Sequence, residues 1–192
     1  MPEFDIKLYD RDFFEWHKIH IRDQAISCMS WYIGRYWHTS YVDFGAGIGS
    51  YLEPCKRLGF KVKGYEISDK AKEFTPLDLR LSIEYLDCTK PMETEVYDTV
   101  ISFETAEHIE PEGTHQFILN LVKATGKTLL FTAAPPGQEG TGHINCMPRE
   151  FWLEEIGHFL TYDEQKTKEI SQAWAKLGAP WYIVKNLLVF NK

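Results

Sequence analysis

The sequence predicts an α/β fold, a doubly wound and mostly parallel sheet, on three observations. Short apolar runs alternate with helical stretches along the chain. The first run, YVDF at 41–44, leads directly into the glycine turn GAGIG. Each of the next two runs ends on an acidic residue, Glu66 and then Asp87. In sheets of this kind ligands bind at the carboxyl ends of the strands, near the point where strand order reverses. Candidate chemistry therefore lies after residues 44, 67, 87, 103 and 134.

The elements follow in order. Residues 11–37 read as one helix, because Phe14, Ile21, Met29 and Ile33 recur near helical spacing with no Gly or Pro before Gly34. After the strand at 41–44, a helix over 49–58 stops at Gly59. FKVKGYEI (60–67) alternates as a strand does. A short helix over 70–74 ends at Thr75-Pro76. LSIEYLD (81–87) and TVISF (99–103) are the third and fourth strands. Pro111 opens a helix that runs to 124. KTLLFTAA (127–134) is the fifth strand, and PPGQEGTGHINCMP (135–148) is loop. A helix over 149–156, a strand over 158–162 and a helix over 163–177 capped by Asp163 come next. WYIVKNLLVF (181–190) reads as the seventh strand.

With 192 residues the chain suits one domain with a real core. The expected division is an N-terminal helical lid at 1–38, a cofactor half at 39–134 and an acceptor half at 135–192. A net charge of −7 argues against a dedicated nucleic-acid binder, which would show a basic face. The cysteines Cys28, Cys55, Cys88 and Cys146 are scattered, with no CxxC pair, and read as reduced thiols. No stretch reads as a signal peptide or a membrane span. A cytoplasmic, soluble protein is the expectation.

The glycines discriminate between nucleotides. A dinucleotide fingerprint is GxGxxG. Here Gly45, Gly47 and Gly49 give GxGxG, and Ser50 stands where the last glycine would be. Asp43 lies two residues before the first glycine. A carboxylate there is badly placed beside a pyrophosphate and suits a cofactor with a cationic end. S-adenosylmethionine (SAM) has an ammonium, a sulfonium and no phosphate. Glu66 can accept from both ribose hydroxyls, as it also would in an NAD site. Asp87 can accept from an adenine amino group, and the Cys88 N–H can serve a ring nitrogen.

VDFGAGIGS, YEIS, YLDCT and YDTVISFETAEHIEP together resemble the motifs of class I SAM-dependent methyltransferases, over most of the chain. That resemblance implies a Rossmann-like methyltransferase fold of seven strands with the last antiparallel. It implies SAM as cofactor and S-adenosylhomocysteine (SAH) as product. It places Asp43, Gly45, Ala46 and Gly47 at the methionine end, and Glu66, Ile67, Asp87 and Cys88 around the nucleoside. Phe103 would approach the adenine or the methionine. Aromatics before the first helix, Tyr9 and Phe13, either close over SAM or pack on the core.

The acceptor is less explicit. Glu104, Glu107 and His108 form an E-x-x-E-H pattern suited to a divalent cation such as Mg, with His143 as a further ligand. The pattern resembles sites in ubiquinone-pathway O-methyltransferases and in small-RNA 2′-O-methyltransferases, where the metal would acidify an acceptor hydroxyl. Alternatively His108 makes only an internal hydrogen bond. Imidazoles titrate near neutrality, so His143 is a candidate general base, with Asn145 orienting the acceptor. GHIN followed by Phe151-Trp152 resembles a group of small microbial and viral methyltransferases with mostly unassigned acceptors. A chain this short leaves no separate recognition domain, so the expected partner is a small-molecule acceptor, methylated at oxygen. A non-catalytic SAM-binding protein and an NAD(P)-dependent oxidoreductase are the competing readings.

Overall fold

The computed structural model describes residues 4–192; the first three residues of the expected lid lie outside it. The elements are α1 (Arg11–His20), α2 (Arg22–Tyr36), β1 (Ser40–Phe44), α3 (Glu53–Arg57), β2 (Lys61–Glu66), β3 (Ile83–Tyr85) and β4 (Tyr97–Phe103). Then come α4 (Pro111–Ala124), β5 (Thr125–Thr132), α5 (Arg149–Gly157), β6 (Thr161–Tyr162), α6 (Glu164–Lys176), α7 (Trp181–Asn186) and β7 (Leu188–Asn191). Short 3-10 turns cover Asp69–Glu73 and Ala106–His108.

One seven-stranded sheet has the order β3-β2-β1-β4-β5-β7-β6. β7 runs antiparallel to both of its neighbours, and the remaining pairs are parallel. Strand order reverses between β1 and β4, where the glycine turn and the segment after Phe103 emerge together. Alternation along each strand feeds two cores, as the period-2 geometry of a strand requires. Val42, Val100 and Leu129 face α4 and α5, packing with Phe117, Leu121 and Trp152. Tyr41, Ile101 and Leu130 face the other way, towards Met29, Ile170 and Trp174 of α2 and α6.

Three helix assignments differ from the sequence reading. The 11–37 helix is two helices, broken at Ile21, which caps α1 through its N–H to the His17 carbonyl. The 49–58 helix shrinks to α3, because Gly49 sits at φ 84° and the chain turns before Leu52. The third change is the largest. Residues 181–186 form α7, not a strand. Pro180 starts the helix, and Ile183 and Leu187, four apart, pack into the α2–α6 core. Only Leu188–Asn191 remains extended. Strands β3 and β6 are also shorter than expected.

Candidate active site

Three turns shape the site. β1 delivers Asp43 and Phe44, and the chain then bends through positive φ at Gly45 (84°), Gly47 (53°) and Gly49 (84°). The Gly45 and Ala46 amides both donate to the Tyr65 carbonyl at 2.9 Å. A side chain at Gly45 would run into Thr105, so the glycine lets two strand ends approach closely. β2 delivers Glu66, whose carboxylate accepts from the Gly47 amide at 2.8 Å and the Ser68 amide at 2.9 Å. After β3, Asp87 accepts from the Thr89 amide at 2.8 Å and from its hydroxyl at 2.6 Å.

These strand ends open on a cavity of about 460 Å³. Asp43, Gly45, Ala46, Gly47, Glu66, Ile67, Asp87, Cys88 and Phe103 all line it. Strand order fixes their sequence along it: Asp87 and Cys88 beyond β3, Glu66 beyond β2, the glycine turn beyond β1, and Phe103 beyond β4. Phe4, Tyr9, Phe13 and His17 line it from the N-terminal side, and α7 adds Tyr182 and Ile183. The Tyr9 carbonyl accepts from the Ser68 hydroxyl at 2.8 Å, while its ring meets His108 edge-on at 5.6 Å. The N-terminal segment thus spans the cavity from β2 to β4.

The site is acidic. Burial, reinforced by the Glu66 charge, raises the Asp43 carboxyl well above its ordinary range. Burial also raises Glu66, opposed by its amide hydrogen bonds. No Lys or Arg pairs with Asp43, Glu66 or Glu104 among the described residues. Acidic groups at all three positions with no cation beside them fit a positively charged ligand, which would favour their ionised forms, so the residues present fit SAM.

Beyond β4, Glu104, Glu107 and His108 separate in role. Glu104 lines the cavity, but its oxygens accept from Gln138 Nε2 at 2.7 Å and Asn186 Nδ2 at 3.1 Å. Glu107 is 0 % exposed, and neither of its carboxylate oxygens has a hydrogen-bond partner. Burial, then the nearby Glu104 charge, raises its carboxyl well above the ordinary range. His108 Nδ1 lies 3.0 Å from the Gly142 carbonyl, and His143 Nδ1 lies 3.0 Å from the Gln138 carbonyl. A carbonyl only accepts, so each Nδ1 carries the proton and each Nε2 is left with a lone pair. Burial lowers His108 to about 4, so it is neutral at pH 7. Ligand atoms of Glu107, His108 and His143 all lie within 4.8 Å of one another.

His108 lines the cavity; Glu107 and His143 stand behind it. Asn145 does not face the cavity. It is buried, its Nδ2 donates to the Thr114 hydroxyl at 2.9 Å, and its amide donates to the Glu107 carbonyl. An acceptor-orienting role for Asn145 therefore does not match its placement. Sequence reasoning missed Tyr51, Tyr182, Gln138 and Asn186. Tyr182 and Asn186 were hidden because 181–190 reads as a strand; the signal for a helix was Pro180 followed by Ile183 and Leu187.

Comparison with known proteins agrees with this geometry. A family model described as a methyltransferase domain matches residues 20–173. The chain belongs to that family, and its fold is the class I SAM-dependent methyltransferase fold. A SAM-dependent methyltransferase from Archaeoglobus fulgidus superposes with a TM-score of 0.64 at 14% identity, over 94% of this chain and 99% of that one. CalS10, an amino pentose methyltransferase from Micromonospora echinaspora, gives 0.66 at 12% identity over 92% and 94%. The O-methyltransferase of a Brevibacillus brevis trans-AT PKS multienzyme, in complex with SAH, gives 0.60 at 16% identity over 88% and 70%. No curated protein matches the sequence significantly. No helix among the described residues is long and apolar enough to cross a membrane.

Proposed function

We propose that this protein transfers the methyl group of SAM to a small-molecule acceptor, at oxygen, by in-line displacement. The observation that carries the reading is one cavity with the glycine turn, Asp43, Glu66 and Asp87 along its cofactor side and His108, backed by His143, at its β4 side. SAM, when bound, supplies an electrophilic methyl, so the chain's task is chiefly alignment and exclusion of water. Asp43 and the turn hold the cationic end, Glu66 the ribose and Asp87 the adenine. The N-terminal segment acts as a lid over the bound ligands. For His143 to serve as the base, the acceptor hydroxyl has to reach past the His108 ring to the His143 Nε2 lone pair, because His108 is the imidazole that lines the cavity. An uncharged or cationic acceptor suits the acidic walls, and the net charge of −7 disfavours nucleic acid. Free thiols at all four cysteines support a reducing, cytoplasmic setting.

A screen of hydroxyl-bearing and amine-bearing small molecules, reading SAH release, tests the acceptor. Turnover with amines alone would overturn methylation at oxygen. Calorimetry with SAM, SAH and NAD tests the cofactor, and binding of NAD in place of both sulfur ligands would sink the assignment. Tight SAM binding with no turnover on any acceptor would favour a non-catalytic SAM-binding role.

A second reading has its own observation. Glu107 offers two buried, unpartnered oxygens, His143 Nε2 lies 4.0 Å from one of them, and ligand atoms of Glu107, His108 and His143 cluster within 4.8 Å. Each ring is fixed through Nδ1 by a carbonyl, the outer-shell arrangement of imidazole ligands. A divalent cation such as Mg held by Glu107, His108 and His143 would lower the pKa of an acceptor hydroxyl. Activity that survives EDTA unchanged would exclude this version.

A further inference from the structure

We propose that the Glu104 side chain reads the positive charge of the methyl donor, so that the site holds SAM more tightly than SAH. The inference rests on the SAM assignment above and adds a residue that selects between donor and product.

Glu104 is held in an uncommon way. Its φ is 46°, a left-handed conformation that residues with a side chain rarely adopt. Its amide donates to both the Thr132 carbonyl, at 3.1 Å, and the Thr132 hydroxyl, at 2.9 Å. Surroundings that over-determine such a backbone mark a position where the side chain must point one way. The carboxylate is then fixed from the other side by Gln138 and Asn186. Asn186 also donates to Gln138 Oε1 at 3.0 Å, so the two amides hold each other.

Both amides are neutral. They orient the carboxylate without cancelling its charge, and no basic side chain pairs with it among the described residues. The walls beside it are aromatic. Tyr51 meets Phe103 edge-on at 4.8 Å, and Tyr182 lines the same cavity. Burial raises the Tyr51 hydroxyl first; Tyr182 and Cys28 add to this, and then the charges of Asp43 and Glu104. Asp43 and Glu104 line the same cavity as these rings. A carboxylate fixed beside aromatic faces, with Asp43 lining the same cavity, forms a receptor for a cation.

SAM and SAH share the adenosine and the ammonium. They differ by one methyl and by the sulfonium charge. A group that senses that charge acts on the difference alone. It favours the loaded donor and weakens retention of the neutral product after transfer.

The test is calorimetry on the full chain with SAM, SAH and sinefungin, which carries an amine in place of the sulfonium. Wild type is expected to bind SAM and sinefungin roughly tenfold more tightly than SAH. Glu104→Gln should weaken both cationic ligands about tenfold and leave SAH within about threefold, which also shows that the site stays folded. Glu104→Asp keeps the charge and should keep the preference. Equal affinity of wild type for SAM and SAH overturns the inference alone. So does a loss in Glu104→Gln that falls equally on all three ligands. Absence of any binding to wild type overturns the methyl-donor assignment and this inference with it.

Discussion

Glu107 Oε1 and His143 Nε2 stand 4.0 Å apart, the first fully buried and without a hydrogen-bond partner, the second with a free lone pair. The gap is wide for a hydrogen bond. It suits two ligands of one ion, since oxygens or nitrogens each about 2.1 Å from a common cation lie about 3–4 Å apart. If the cluster holds a cation, Mn²⁺ titrated into the protein should bind once per chain, and Glu107→Gln should remove that binding. In metal-free buffer the same variant should gain about 1–2 kcal/mol of stability at neutral pH, because burial holds the Glu107 carboxyl well above its ordinary range and Gln has no charge to desolvate or proton to take up. Unchanged Mn²⁺ affinity in the variant would end the cation reading.

Glu66 does two jobs with one carboxylate. It accepts from the Gly47 and Ser68 amides, and it lines the cavity. Glu66→Ala should lower SAH affinity at least tenfold, since charge-assisted hydrogen bonds are lost and two amides are freed. Calorimetry checks this; an affinity within twofold of wild type would show that Glu66 only braces the turn.

Gly45 tolerates no side chain. Its φ is 84°, and a Cβ there would lie within 2.9 Å of Thr105 Cβ and closer still to the hydroxyl. Gly45→Ala should cost about 2–4 kcal/mol in urea unfolding through strain and overlap combined. Gly47→Ala, with open space at the same point, should cost less of the stability and more of the SAH affinity.

Asn145 makes a buried bond to Thr114 and supports the Glu107 backbone. Asn145→Ala should destabilise the fold by about 1–3 kcal/mol and leave SAH affinity intact. Thermal unfolding separates the two effects. A variant of normal stability with impaired turnover would restore a direct role at the acceptor.

Far from the site, Asp98 receives the Thr39 amide and hydroxyl and pairs with Lys127 at 2.9 Å. Burial alone would raise its carboxyl; these partners outweigh it and bring it down to about 2. A folded-state value below the unfolded one contributes stability above the ordinary carboxylate range, and that contribution fades as pH falls towards 2. Asp98→Asn should therefore destabilise at pH 7 and converge with wild type by pH 2. A constant difference across that window would assign the effect to something other than ionisation.

The parts of the molecule that could be read from sequence are those where one local signal decides. GAGIG needs positive φ, and Glu66 and Asp87 close apolar runs, so the cofactor side of the cavity could be placed residue by residue. Helix breaks were not legible: nothing in the composition around Ile21 marks the boundary between α1 and α2. The acceptor side depended on distance across the fold. Glu104, Glu107 and His108 share a motif, but the structure sends Glu104 to Gln138 and Asn186. It sets His143, thirty-five residues after His108, beside Glu107 instead. The apolar run WYIVKNLLVF fits helix and strand alike, and its first six residues are helix on a faint local signal, Pro180 followed by Ile183 and Leu187 four apart, while Leu188–Asn191 stays extended.

The position of β7 has a consequence for synthesis. It is the last strand in chain order, yet it lies inside the sheet, with β5 on one side and β6 on the other. The two-residue β6 has no other partner in the sheet, so it cannot dock when it leaves the ribosome. Until Leu188–Asn191 emerges, β5 presents an open hydrogen-bonding edge. A chain truncated before residue 188 should therefore be a client for chaperones, while the released 192-residue chain closes its own sheet.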